Sequence, residues 1–288
     1  MILSANIQEW SASAPWPESR QIEQDMIICR ALCDLFNDPF LAERHSFRGG
    51  TAINKLLFKR PLRYSEDIDL VQLKAEPIGP TIDAIRKALA WLGRCKINRA
   101  RHSTHLIFKF VPENSAETQL NLKVEVNTRE YQSLYGVEKY PFEIINTWFH
   151  GKAELSSFRL YELFGTKLRA LLQRRKNRDL FDLGEGLKNL DIDATRLVAC
   201  FDHYLALEGE AITRADAEER MLGKLNHSLI EDIAPLLPAG VIYKEDDALN
   251  AFQSVWTTLI TRLKGDPWKL STKAIEDIRA VKYPTLFR

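Results

Sequence analysis

The sequence has no long hydrophobic run. No stretch approaches the ~18 consecutive apolar residues of a membrane-spanning helix, so no such helix is expected. Residues 1–16 lack the basic and apolar regions of a secretory signal, and the expected location is the cytoplasm. Cysteine is scarce, with four residues: Cys29, Cys33, Cys95 and Cys200. Cys29 and Cys33 stand four apart in a helical pattern, which suits one buried face, and no second pair completes a zinc set. Free thiols in a reducing compartment are expected. A surplus of one charge is also missing, since Lys and Arg number 40 and Asp and Glu 39. Total charge therefore argues neither for nor against nucleic acid, and only a local patch can. There is no internal repeat and no low-complexity segment. What remains is 288 residues, 45% hydrophobic and 27% charged, enough for one large or two modest globular domains.

The most informative segment is residues 47–70. Gly49-Gly50 opens a predicted helix, and sixteen residues separate Gly50 from Asp67; Asp69 follows two positions later. Positions i and i+2 of a strand share a face, so Ile68 and Leu70 point into a core while Asp67 and Asp69 point out together. Two carboxylates on one rigid edge suit a hard divalent cation such as Mg²⁺ or Mn²⁺. A Gly-Gly turn entering a helix offers bare backbone N–H groups to phosphate oxygens. Thr51 reads as the cap of that helix, with its backbone N–H toward phosphate. Ser65 either touches phosphate or caps the turn before the strand.

Periodicity predicts helices over residues 19–36, 51–58 and 80–92, and strands over 67–73, 106–111 and 120–126, with 42–48 a short strand or turn. The run over 120–126 alternates cleanly, with Leu120, Leu122, Val124 and Val126 on one face and Asn121, Lys123 and Glu125 on the other. Glu125 is thus a candidate third acid. The residues alone leave it open between that role and a solvated face with Lys123 as ionic neighbour. His102 and His105 have no acid or cysteine at ligand spacing and read as surface or loop residues. Beyond about residue 150 the signal is helical throughout: 157–174, 179–190, 194–207, 214–225, 246–263 and 273–281. The expected fold is α+β, a mixed sheet with helices over residues 1–150 followed by a helical domain over 151–288.

Residues 167–178 hold six cations: Lys167, Arg169, Arg174, Arg175, Lys176 and Arg178. On a continuous helix Lys167, Arg174 and Arg178 share a face, opposite an apolar face of Leu160, Leu163, Phe164, Leu168, Leu171 and Leu172. A solvated basic surface is the plain alternative. Asp179 and Asp182 follow, three apart. One of them suits an N-cap or a salt bridge to Arg178.

These strings carry a resemblance. The Gly-Gly pair followed by Asp-x-Asp resembles motif I of the polymerase-β-like nucleotidyltransferases, with Gly50 where many members carry Ser. The fuller string Phe47-Arg48-Gly49-Gly50-Thr51-Ala52 with Arg63-Tyr64-Ser65-Glu66-Asp67-Ile68-Asp69-Leu70 resembles the AbiEii/AbiGii toxin nucleotidyltransferases of type IV toxin–antitoxin systems. So does the later pattern of Lys167, Leu-x-Ala-Leu-x-x-Arg and Arg-Asp-x-x-Asp-Leu. The resemblance covers roughly residues 20–190 and implies a polymerase-β-like N-terminal domain. By the resemblance Gly49, Gly50, Thr51 and Ser65 cradle the phosphates, and Asp67, Asp69 and Glu125 hold metal. It further implies that Lys167 touches nucleotide phosphates, and that Arg178 with Asp179 or Asp182 completes the nucleotide or metal site.

The activity so implied is transfer of a nucleotide from an NTP, with Mg²⁺ or Mn²⁺, to RNA, the tRNA 3′ end leading, to block translation in phage defence. A cognate antitoxin encoded alongside is expected, without an obligate complex, and no membrane partner. Transfer to a small molecule such as an antibiotic needs an acidic pocket, which the basic segment opposes. Transfer to a protein hydroxyl stays open. A non-catalytic nucleotide-binding module predicts a lost carboxylate, and all three acids are present.

Overall fold

The computed structural model describes residues 2–113 and 119–288. It divides into two compact units, one of residues 1–159 with 236–240 and one of 160–235 with 241–288.

The first unit is built on a seven-stranded mixed sheet. In chain order the strands are β1 (His45–Arg48), β2 (Asp67–Gln72), β3 (Cys95–Arg99), β4 (Ser103–Phe110), β5 (Leu120–Asn127), β6 (Val137–Ile145) and β7 (His150–Phe158). Their spatial order is β3-β4-β5-β2-β1-β7-β6. β2 runs parallel to β5 and antiparallel to β1, and β1 runs parallel to β7. The helices are α1 (Ser4–Trp10), α2 (Ser19–Asn37), α3 (Pro39–Arg44), α4 (Gly49–Leu56) and α5 (Ile78–Ala88). The core forms where Met26, Ile28 and Leu32 of α2 meet Phe47, Ile68, Leu70, Leu122, Val124 and Val126 of the central strands, all buried. The alternation of β2 and β5 is thus realised as predicted: the aliphatic face is packed and the acidic face left accessible.

The sheet extends past position 150, where the expected domain limit lay. β7 crosses that point, pairing with β6 over its whole length and with β1 at Phe47 and Ser157. The segment 236–240 also packs with the sheet unit, through Tyr64 N–H to the Leu236 carbonyl (2.6 Å) and Ala239 N–H to the Pro15 carbonyl (2.7 Å).

The second unit is helical among the described residues: α6 (Leu160–Gln173), α7 (Arg178–Asn189), α8 (Ala194–Glu208), α9 (Arg214–Lys224), α10 (Glu245–Thr258) and α11 (Ser271–Val281). Leu163, Phe164, Leu168, Leu171 and Leu172 of α6 are buried, as its apolar stripe predicts. Asp193 caps α8, accepting from the N–H groups of Thr195 and Arg196, and Thr213 with Asp216 forms a capping box on α9. Among the described residues, no helix is long and apolar enough to cross a membrane.

Candidate active site

Strand pairing brings the three predicted acids together. In the parallel ladder of β2 and β5, Asp67 stands opposite Lys123 and Asp69 opposite Glu125. Across the antiparallel pair on the other side, Arg48 stands opposite Asp69. Glu125 also faces His105 of β4. One polar face of the sheet therefore carries Asp67, Asp69 and Glu125 with Lys123 and His105 among them.

Lys123 sits between two of the acids. Its Nζ lies 2.9 Å from Asp67 Oδ2 and 3.3 Å from Glu125 Oε2. His105 Nε2 lies 3.3 Å from Glu125 Oε2 and 2.9 Å from Ser103 Oγ. Burial alone would raise the Glu125 carboxyl, but Lys123 and His105 outweigh it and hold the group below its ordinary value. Asp69 is displaced the other way. Burial, then the charges of Asp67 and Glu125, push its carboxyl up against the opposing pull of Arg48 and Lys123. Arg48 is itself engaged, its guanidinium donating to the buried carboxylate of Glu130.

The cradle beside these acids is tightly built. Gly49 has φ +79°, and a Cβ there would collide with the Asp69 carboxylate, so both the backbone and the close approach require glycine. α4 starts at Gly49 and has no side-chain cap among the described residues. Thr51 is not that cap. It lies inside the first turn, 1% exposed, and its hydroxyl donates to the Asp67 carbonyl (2.5 Å). Having given its one proton there, it accepts from Ser65 Oγ (2.8 Å). Thr51 and Ser65 thus fasten the start of the carboxylate strand to the glycine turn, while the backbone N–H groups of Gly49 and Gly50 remain first-turn donors.

Asn54 and Gln24 complete the frame, and neither is a predicted residue. Asn54 Oδ1 accepts from the N–H groups of Leu62 (3.1 Å) and Arg63 (3.2 Å), and its Nδ2 donates to the Gly50 carbonyl (2.9 Å). Gln24 Nε2 donates to the carbonyls of Glu66 (3.3 Å) and Asn121 (3.1 Å), each just ahead of an acidic strand face.

In the helical unit Lys167 of α6 meets Asp179 and Asp182 of α7. Its Nζ lies 3.0 Å from Asp179 Oδ1 and 2.9 Å from Asp182 Oδ2, and both aspartates are fully buried. The second Asp179 oxygen has no hydrogen-bond partner among the described residues. Asn177, not Asp179, holds the N-cap position of α7, and Asp179 pairs with Lys167 rather than Arg178. Residues 174–177 break the helix, so Lys167, Arg174 and Arg178 do not lie on one continuous helix face. Arg169 is turned to Glu208 (3.3 Å) and to the Tyr204 carbonyl (3.2 Å), whereas Arg178 makes no ion pair among the described residues.

The family model for the nucleotidyl transferase AbiEii toxin of type IV toxin–antitoxin systems matches residues 30–257. The chain belongs to the AbiEii toxin family. Among solved structures it resembles MenT4, a nucleotidyltransferase toxin from Mycobacterium tuberculosis, with 16% identity, 97% of this chain and 96% of that one covered, and a TM-score of 0.65. It also resembles JHP933 from Helicobacter pylori, with 16% identity, coverage of 92% and 99%, and a TM-score of 0.50. These likenesses show the fold. No curated protein matches the sequence. As an AbiEii protein the chain is a nucleotidyltransferase; the family implies an NTP substrate, a divalent metal and a cognate antitoxin.

The AbiEii sheet face suits such a metal by its chemistry. Its donors are hard carboxylates, and the mutual repulsion that raises Asp69 is what a bound dication would relieve. As the side chains stand, no three His, Cys, Asp or Glu groups among the described residues converge on one point, because Lys123 takes the place between Asp67 and Glu125. Sequence reasoning missed Lys123 and His105 as members of the site. The only local signal was the i, i+2 spacing of Lys123 and Glu125, and His105 enters through cross-strand register alone.

Proposed function

We propose that this AbiEii enzyme transfers a nucleotide from an NTP to an RNA hydroxyl, with the tRNA 3′ end as the leading acceptor and arrest of translation as the consequence. The observation that carries the reading is the register of Asp69 opposite Glu125, with Asp67 two residues away and the Gly49 turn pressed against Asp69.

In this reading the N–H groups of Gly49, Gly50 and Thr51 bind phosphate oxygens at the positive end of α4. Asp67, Asp69 and Glu125 would hold Mg²⁺ or Mn²⁺, which when bound polarises phosphate oxygens and acidifies the acceptor hydroxyl. The hydroxyl oxygen attacks the α-phosphorus, the bond to the bridging oxygen breaks, and pyrophosphate leaves. Glu125, kept ionised by Lys123 and His105, takes the hydroxyl proton. Gln24, Asn54, Thr51 and Ser65 keep the turn and both strands fixed through the reaction. Lys167, Arg178 and one of Asp179 and Asp182 are assigned by their motifs to nucleotide contacts. The buried pairing of Lys167 with both aspartates supports a preset charge cluster rather than a free lysine.

The test is incubation with each labelled triphosphate, Mg²⁺ and total RNA, followed by purified tRNA. Label at the 3′ end of tRNA, lost in Asp67→Ala, supports the reading. Label in a small molecule or a protein leaves the nucleotidyltransferase and removes the RNA acceptor.

A further inference from the structure

The helical unit contains an open cavity of about 1060 Å³, lined in part by Arg174, Arg175 and Lys176 of the basic segment. It lies between the end of α6, the loop to α7, the last turns of α9 and the segment that follows α9. The volume is at the upper end of the range of small-ligand sites.

The lining has a definite chemistry. Five of its residues are Lys or Arg and three are acids. Two of the cations are already engaged: Arg220 donates to the Leu172 carbonyl (3.3 Å) and buried Lys224 to the Arg174 carbonyl (2.7 Å). They cap the C-terminus of α6 and make a firm wall. The side chains of Arg174, Arg175 and Lys176 form no hydrogen bond or ion pair among the described residues, and all three are exposed. Opposite in character is Asn177, 5% exposed. Its Nδ2 donates to the Ser228 carbonyl (3.0 Å), which fixes the amide orientation, and its buried Oδ1 has no partner. Exposed Glu231 is a further acceptor on the rim.

We propose that this cavity binds a nucleotide-class ligand, its phosphates on Arg174, Arg175 and Lys176 and its hydroxyl or amino donors on Glu231. A bare polyphosphate fits poorly, because Glu210, Glu231 and Asp232 repel it and it has no donor to offer them. A ribonucleotide offers both anionic oxygens and donors. The inference concerns binding in the helical unit. It rests on the RNA reading only for the identity of the chain to which such nucleotides belong.

Gly223 provides a clean probe. It lies in α9, lines the cavity, and has nothing within 4 Å of where its Cβ would be. Gly223→Leu therefore fills the cavity without changing charge, and leucine is the better helix former. The experiment measures binding of a fluorescent single-stranded tetrauridylate to the full chain, without NTP or metal. Competitors are AMP and inorganic tripolyphosphate. Wild type should bind, and Gly223→Leu should weaken binding by about tenfold or more, as should the pair Arg175→Gln with Lys176→Gln, which also flattens the salt dependence. Displacement by AMP assigns a single nucleotide; displacement by unlabelled tetranucleotide alone assigns a chain. Absence of binding by wild type overturns the proposal. So does binding that Gly223→Leu leaves intact, or displacement by tripolyphosphate as effective as by the nucleotides. Melting temperatures accompany each variant, and if Gly223→Leu unfolds, the exposed pair decides. Because no transfer is measured, a failed transfer assay leaves this result standing.

Discussion

Gly49 and Asp69 are one device at the residue scale. The turn can press against the carboxylate only because position 49 has no side chain and takes a positive φ. Gly49→Ala should lower the melting temperature and abolish nucleotide incorporation, since the new methyl displaces the acid the turn must accompany; wild-type incorporation would detach the turn from the site. Asp69→Asn should also abolish incorporation, yet raise stability at neutral pH without metal. The sign follows from the raised carboxyl: protonation favours the fold below the ordinary aspartate range, and that benefit is lost as pH rises through the higher folded value. Asparagine keeps the uncharged form at every pH. Its advantage in melting temperature should shrink as the pH falls and the native acid takes up its proton, and an advantage that does not vary with pH would mean the repulsion is not its source. Lys167 behaves differently from a cation free for phosphate, whose removal costs little folding stability. Lys167→Ala leaves two fully buried aspartates without their cation, and a loss of about 3–5 kcal/mol is expected by denaturant unfolding. Unchanged stability there would show the ion pairs to be incidental.

At the scale of elements, the strands that carry the acids were legible, and so was most of their neighbour β4, whereas the outer strands β3, β6 and β7 were not. β2 and β5 alternate cleanly because one face is packed and the other polar. β3 is almost wholly accessible, so it has no buried stripe to reveal it. β6 carries Pro141, which argues against a strand except at an edge, and β6 is the edge. β7 buries Ser156 and Ser157 beside Leu155 and Phe158, and that polar interior hides its period. The helices after position 159 were read within a few residues because each has an apolar stripe, and the break expected between 174 and 179 falls at residues 174–177. Lys123 was legible as the ionic neighbour of Glu125, a pair the structure contains, but His105 and Gln24 were out of reach because their roles come from register and packing between distant segments. Gln24 shows what that means energetically. Its amide ties the entries of β2 and β5 together, so Gln24→Ala strips two carbonyls of their donor and should cost about 1–3 kcal/mol. Incorporation should slow beyond what the remaining folded fraction explains, because the two acidic strands lose their common tether. A destabilised variant with full turnover per folded molecule would make Gln24 structural only.

For the whole molecule the net charge is +1 at pH 7, and part of its pH response comes from buried groups whose protonation the fold shifts. His45, at the head of β1, is the clearest of them. It is 1% exposed, and both ring nitrogens have partners: Nδ1 lies 3.2 Å from the Leu41 carbonyl and Nε2 3.2 Å from Thr81 Oγ1. The neutral ring satisfies both, its Nδ1–H donating to the carbonyl and its Nε2 accepting from the hydroxyl. Burial pulls its value from 6.5 down to about 4, against the opposing effect of the Leu41 hydrogen bond. A depressed histidine favours the fold while the ring stays neutral. As pH falls from 6.5 toward 4 the unfolded chain takes up a proton that the native ring refuses, and stability is lost across that window, by about 3 kcal/mol in all. The chain has two compact units, and His45 belongs to the sheet unit, so one overall unfolding energy is the wrong measure. Denaturant unfolding at pH 7 and pH 4.5 should be followed by far-ultraviolet dichroism and by hydrogen exchange at β1, α3 and α5. Exchange in those elements should accelerate as the pH falls, after correction for intrinsic rates. His45→Gln, which keeps a donor and an acceptor but does not titrate, should lose that part of the acid response. If the variant and the wild type weaken equally between those pH values, the acid sensitivity of the sheet unit lies in its carboxylates, and the buried imidazole contributes only its hydrogen bonds.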